Sequence, residues 1–260
     1  MFPFLTIFGR DIPVFYAMGV LGLVCATYVA GFRARRYNLS RTDTVYIASF
    51  AMIGILIGGV LLFGITQIPN MWQNRAFLST HFVAFLIRYF GGTVFYGGLF
   101  GAFFALYIYA KHMAIPLGNI LSLTIPVFPL AHAIMRLGCF AGGCCYGIPF
   151  PPPFGIAFSA SLGAPNGIPL LPVQLYEAAV NLCIFFILWR FSAKERDWQS
   201  IACLYGLLYS FARFWLEFLR GDPARGFVFG FSTSQWISLA LFATCLTWIL
   251  LRRQKTAWRR

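Results

Sequence analysis

The stretch His132-Ala-Ile-Met-Arg-Leu-Gly-Cys-Phe-Ala-Gly-Gly-Cys-Cys-Tyr-Gly147 decides how the chain is read. It lies inside a long apolar sequence, yet it carries an arginine, a histidine, three cysteines and four glycines. A charge placed in hydrocarbon costs roughly 2.5–3.5 kcal/mol on insertion scales, so an intramembrane arginine is kept for a partner or for chemistry. Arg136 is therefore the first candidate site residue. The glycines let helices approach closely and let the chain leave helical geometry.

The composition outside that stretch agrees. Of 260 residues, 60% are hydrophobic and only 10% are charged, whereas a soluble domain carries about a quarter. Several uncharged runs exceed the roughly 18–20 residues that cross a bilayer. The expected fold is all-α: one integral-membrane domain over residues 1–260 with seven transmembrane helices. The spans fall at about 12–32, 44–66, 91–110, 117–143, 173–191, 200–219 and 230–251. Pro126 and Pro129 should kink the fourth. Residues 67–88 are less regular and are expected to lie at the outer interface, and residues 147–172, with Pro151 to Pro153, read as an extramembrane loop. Arg10 and Asp11 precede an apolar run without a small-residue cleavage site, so no cleavable signal is expected.

The net charge of +13 is distributed in a way that argues against nucleic acid as a partner. Loops on one side collect Arg33, Arg35, Arg36, Arg41, Lys111, Arg190, Lys194 and Arg196, together with the tail residues Arg252, Arg253, Lys255, Arg259 and Arg260. The other side has Arg10, Arg75, Arg88, Arg220 and Arg225. The positive-inside rule then places the N-terminus outside and the C-terminus in the cytoplasm, with the basic loops anchored on anionic lipid. The end of the fourth span, the start of the fifth and the end of the sixth all fall toward the outer leaflet, where their polar residues can share one site.

The sixth span carries Tyr209, Arg213, Glu217 and Arg220 at steps of four, four and three, which is one helix face. Arg213 and Glu217 can pair, as a structural ion pair or as part of an anion site in which Arg213 and Arg136 converge. Arginine offers a planar fork suited to phosphate oxygens. The fifth span opens Leu171-Pro-Val-Gln-Leu-Tyr-Glu177, putting Gln174, Tyr176 and Glu177 in its first turns. Glu177 either favours the helix N-terminus or holds an arginine. The third span opens Gly91-Gly-Thr-Val-Phe-Tyr-Gly-Gly-Leu-Phe-Gly101. Its glycines serve close helix packing, or leave Tyr96, with Gly97 and Gly98, facing a substrate cavity. The spacing of Cys139, Cys144 and Cys145 is not a standard zinc pattern. Packing is the expected role, with a Cys139–Cys144 disulfide as the alternative and no metal. His132, one turn before Arg136, reads as a buried, hydrogen-bonded histidine.

Taken together these segments resemble the prolipoprotein diacylglyceryl transferase family. The resemblance rests on Arg136 to Gly147, Gln174 to Glu177, Arg213 to Arg220, Phe15-Tyr16 near the start of the first span and Ser234-Gln235 before the last. It covers nearly the whole chain in order. It implies a bacterial plasma-membrane enzyme that transfers the diacylglyceryl group of phosphatidylglycerol to the cysteine thiol in the lipobox of a prolipoprotein signal peptide. A thioether forms and glycerol phosphate leaves, with membrane lipid as the medium and no cofactor. It further implies that Arg136 and Arg213 bind the phosphate, that Glu217 and Arg220 orient Arg213, and that Tyr16 and Tyr96 act in catalysis. Tyr209, Cys139, Gly97, Gly98, Gln174, Tyr176 and Glu177 would shape the substrate site. The sequence departs from the family at four places. Tyr96 stands for the usual histidine before Gly-Gly, Cys139 for asparagine, Val60 for arginine and Leu171 for histidine. Two other readings stand beside this one. The first is a diverged member that takes another acceptor, or has no catalysis, and binds anionic phospholipid. The second is a transporter with an Arg/Glu gate, against which the lack of an internal repeat argues.

Overall fold

A computed structural model of the chain describes residues 3–7, 9–75, 81–222 and 226–257. In chain order it contains β1 (Phe4–Ile7), β2 (Arg10–Pro13), α1 (Val14–Gly31), α2 (Arg41–Thr66), α3 (Ile68–Gln73), α4 (Phe82–Phe90), α5 (Phe95–His112), α6 (Leu117–Thr124) and α7 (Phe128–Gly142). There follow β3 (Ile156–Ala157), β4 (Pro169–Leu170), α8 (Val173–Phe191), α9 (Trp198–Leu216), β5 (Phe227–Val228), β6 (Phe231–Ser232) and α10 (Thr233–Ala257). Arg225, Arg259, Arg260 and part of the interfacial stretch 67–88 lie outside the described residues.

Five helical stretches are long and apolar enough to cross a membrane: Val14–Gly31, Arg41–Thr66, Leu117–Gly142, Val173–Phe191 and Thr233–Arg252. A sixth is counted if α4 and α5, bent by 92°, form one broken span. The chain is a multi-pass membrane protein. The count of seven is not reached because α9 is long enough but too polar, its last turns carrying Arg213. Proline explains the break between α6 and α7. Pro126 removes a backbone donor, and the chain tightens into a 3-10 turn over Ile125–Val127 before α7 resumes. Two boundaries move inward. The first helix starts at Val14 because Phe4–Ile7 pairs with Arg10–Pro13 as an antiparallel hairpin. The sixth expected span ends at Leu216, and Glu217–Leu219 is a 3-10 turn.

By its contacts the chain divides into two compact units, Met1–Ala30 with Ser122–Arg260, and Gly31–Leu121. In the second unit α2 and α5 pack backbone to backbone. A β-carbon on Gly58 would strike the Gly97 carbonyl, and one on Gly97 the Gly58 carbonyl. Gly98 lies against Ile55. Gly97 and Gly98 thus take the packing role.

In the first unit α1 leans on α7 in the same way. A β-carbon at Gly22 would come 2.7 Å from the Ala131 carbonyl, and one at Gly138 would come 2.7 Å from Met18 Cβ. Helix α8 packs against α7 and α9, and α9 against α10. Three loops at one end of these helices are knitted by main-chain bonds. Gly147 N donates to Leu171 O (3.1 Å), Ile148 N to Leu219 O (3.0 Å), Leu171 N to Ile148 O (2.9 Å) and Gly221 N to Tyr146 O (3.0 Å). The loop over 147–172 folds into a small cap. There β3 pairs with β4, and Phe158, Ala164 and Leu170 form a core covered by Phe140 and Tyr146. At the other end of α9, Asp197 caps the helix through Ser200 N and pairs with Arg252 of α10 at 2.6 Å.

Gly58→Val should drive a side chain into the Gly97 carbonyl, and overpacking of this kind costs about 1–3 kcal/mol. The thermal unfolding midpoint of the detergent-solubilised protein should fall by several degrees. Gly19→Ala, with open space around it, should leave the midpoint unchanged or slightly raised.

Candidate active site

The knitted loops decide which side chains meet. Arg136 stands midway along α7, Glu177 in the second turn of α8, and Arg213 in the last turn of α9. Glu177 joins them. Its Oε2 lies 2.5 Å from Arg136 Nε, and its Oε1 accepts from Arg213 Nη1. The Arg136 N–H is aimed at His132 Nε2 (3.2 Å), so the contact with Glu177 Oε2 is an ion pair rather than a directed hydrogen bond. Arg220 reaches the same carboxylate at 3.7 Å. Of the two readings of Glu177, the one in which it holds an arginine is found, and three arginines share it.

Each guanidinium also has a carboxylate or acceptor of its own. Arg213 Nη2 meets Glu217 Oε2 at 2.7 Å and Ser234 Oγ at 3.4 Å. Arg220 is clamped by Asp222 through two bonds of 2.9 and 2.8 Å. Three cations thus face three carboxylates, Glu177, Glu217 and Asp222, and burial is balanced by pairing as low-dielectric surroundings require. Arg220 holds its proton more firmly than a free arginine: burial works against its charge, but the bond to Asp222 and the nearby Cys145 and Glu177 outweigh burial. Arg136 is the least saturated. Among the described residues no hydrogen bond reaches its Nη1 or Nη2, and its side chain keeps 12% of its surface accessible while that of Glu177 keeps 5%. A small cavity beside the pair is lined by His132, Glu177, Asn181, Tyr209 and Arg213.

The other expected site residues are distributed as follows. Tyr209 stacks near His132, ring centres 5.8 Å apart, and faces that cavity. Gln174 is fully buried and donates to the Cys144 carbonyl at 2.7 Å, so it holds a loop. Tyr176 is half-buried in the first turn of α8. Cys139 is buried, with Cys144 Sγ against its carbonyl at 3.7 Å. Tyr16 is exposed and stacks on Phe15, and among the described residues no hydrogen bond joins it to the arginines. Tyr96, Gly97 and Gly98 belong to the other compact unit. Arg220 shares Glu177 Oε1 with Arg213 but lies beyond the helix face that carries Arg213 and Glu217. The helix has ended, and Arg220 turns to Asp222 and Glu177 while its backbone bridges to Gly147. Two residues escaped the sequence reading. Asn181 is buried, bonds the Glu177 carbonyl at 2.8 Å and lines the cavity; its position four residues after Glu177 was the available signal. Asp222, two residues past Arg220, gave no periodic signal.

Apolar helices that bring buried guanidinium groups from two spans onto one carboxylate make a polytopic membrane protein with a buried arginine–carboxylate centre. Comparison with known sequences narrows the class. The sequence profile described as prolipoprotein diacylglyceryl transferase matches residues 4–251, and the chain belongs to that family. It is similar to the phosphatidylglycerol–prolipoprotein diacylglyceryl transferase of Clostridium tetani, 36% identical over 234 residues that cover 90% of each chain. It is also similar to transferase 2 of that name from Clostridium perfringens, 31% identical over 90% of this chain and 88% of the relative. The Geobacter sulfurreducens protein of the same name is 29% identical over 94% of this chain and 96% of its own.

Glu177→Leu should leave the three arginines short of their shared counter-charge. Removing one partner of a buried pair costs about 3–5 kcal/mol, so the unfolding midpoint should fall well below that of Asp222→Asn. Asp222 is more exposed and pairs with Arg220. Differential scanning fluorimetry of the two variants in one detergent checks the order.

Proposed function

We propose that this chain transfers the diacylglyceryl group of phosphatidylglycerol to the cysteine thiol of a prolipoprotein at the outer leaflet of the bacterial plasma membrane. The observation that carries the reading is the Arg136–Glu177–Arg213 junction, with no hydrogen bond to the two terminal nitrogens of Arg136 among the described residues. The printed names of the relatives, in which phosphatidylglycerol and prolipoprotein both occur, support it.

The chemistry follows from what these groups can do. The acceptor thiol loses its proton, and the thiolate attacks the glyceryl carbon that carries the phosphate ester. The C–O bond breaks, the C–S bond forms, and glycerol phosphate leaves with the negative charge. Arg136 and Arg213 donate to the phosphate oxygens, and those bonds strengthen as charge builds on the leaving group. Glu177 balances the arginines before substrate arrives and fixes their spacing. Glu217 positions Arg213, and Asp222 positions Arg220. A guanidinium N–H beside the acceptor sulfur also favours its thiolate form. Tyr209 borders the head-group position, and Gln174, Tyr176 and Cys139 support its loop side. Tyr16 faces the substrate; Tyr96 stands where the family carries histidine, and Gly97 and Gly98 pack its helix against α2. We read α5 and α9 as crossings too, which makes seven spans with the N-terminus outside and the C-terminus cytoplasmic, in keeping with the arginine and lysine bias of the loops.

Purified protein in phosphatidylglycerol vesicles, offered a lipobox peptide, should form a thioether-linked diacylglyceryl peptide and release glycerol phosphate. Arg136→Ala and Arg213→Ala should abolish transfer. Arg136→Lys, which keeps the charge and loses the fork, should reduce it by about 10²-fold with little change in unfolding midpoint. Full transfer in either alanine variant overturns the mechanism.

An alkaline phosphatase reporter fused after the tail should be inactive, and one inserted in the loop over 147–172 active. The reverse pattern overturns the orientation.

A further inference from the structure

A second cluster of reactive side chains closes the end of α7, beside the arginine and carboxylate network. Gly143 caps the helix in the left-handed region, with φ 66°, and Cys145 adopts the same region with φ 55° although it is not glycine. The turn is fixed from two sides. Cys144 N donates to Cys139 O at 3.0 Å, and the buried Gln174 side chain donates to Cys144 O at 2.7 Å. This turn carries the sulfur of Cys145 back toward the helix. The Sγ atoms of Cys139, Cys144 and Cys145 consequently lie within 4.8 Å of one another, and none is in a disulfide. Cys139 is buried while Cys144 and Cys145 are half-buried, so the cluster opens on one side.

A disulfide accounts for two sulfurs and leaves the third without a reason. Three thiolates about 2.3 Å from one zinc-sized ion stand about 4 Å apart, which this turn already allows. Charge agrees. Three thiolates around a divalent ion carry a net negative charge, and Arg136 and Arg220 lie close to Cys145. Ligating thiols must be ionised.

We propose that Cys139, Cys144 and Cys145 form a site for one thiophilic cation of the zinc, cadmium and copper(I) class. Three protein ligands leave the fourth position to water or to a sulfur or oxygen atom of another molecule. The site stands independently of the phosphate chemistry proposed above, since its ligands are other residues and its test is metal binding.

The test uses the full chain with Cys25→Ser, Cys183→Ser, Cys203→Ser and Cys245→Ser, so that only the three clustered thiols remain. The protein is reduced with a phosphine in detergent and titrated anaerobically with cadmium alone. One equivalent should bind with an ultraviolet thiolate-to-cadmium charge-transfer band that zinc displaces. X-ray absorption should count three sulfurs on the bound ion. Serine at any one of the three positions should weaken binding by about tenfold or more, since even outer-shell changes at metal sites cost 10–100-fold. The sulfur count on the parent decides the matter even if a serine variant fails to fold. No band at stoichiometric cadmium, a count of two sulfurs or fewer, or a Cys139–Cys144 disulfide that re-forms in air with zinc present would each overturn the proposal.

Discussion

One carboxylate holds the centre of this protein together. Glu177, 5% accessible, takes Arg136 from α7 on one oxygen and Arg213 from α9 on the other, with Arg220 at 3.7 Å. In water such contacts are worth little. Away from water each charge needs its partner, because the alternative is an unpaired ion in a medium of low dielectric. The positions of α7, α8 and α9 at this end are thus tied to a single side chain, and the donors that remain on Arg136 are aimed by that tie.

The loops do the rest of the positioning. Backbone bonds among residues 146–148, 171 and 219–221 fix how far apart the three helix ends stand. Main-chain bonds vary less with side-chain identity than packing does, so the frame tolerates change in the residues it presents. The glycine contacts of α1 with α7 extend the same frame, since Phe15 and Met18 lie directly on Gly138.

Much of this was legible in the sequence. Long apolar runs with proline and glycine punctuation gave the helices to within a few residues, because hydrocarbon demands continuous apolar helix of one length. The one-face spacing of Tyr209, Arg213 and Glu217 was correct while the helix lasted. It failed at Arg220, where a 3-10 turn and the bridge to Gly147 redirect the chain. The sequence leaves Glu177 between the helix N-terminus and an arginine and does not show it as the hub, since its partners come from neighbouring helices and local periodicity carries no such information. Asn181 hides as one polar residue in an apolar helix. The clustering of three sulfurs was missed because ligand-spacing rules assume ordinary backbone, and Cys145 turns through a left-handed conformation.

The placement of counter-ions has a consequence for how the chain enters the bilayer. Helix α9 carries Arg213 and Glu217 one turn apart, so it can leave the translocation machinery with that charge already neutralised. Helix α7 brings Arg136 with only a neutral imidazole beside it, and its acid arrives with the following span. The charge on α7 is therefore balanced only once α8 lies beside it, which favours the two helices partitioning together as a hairpin.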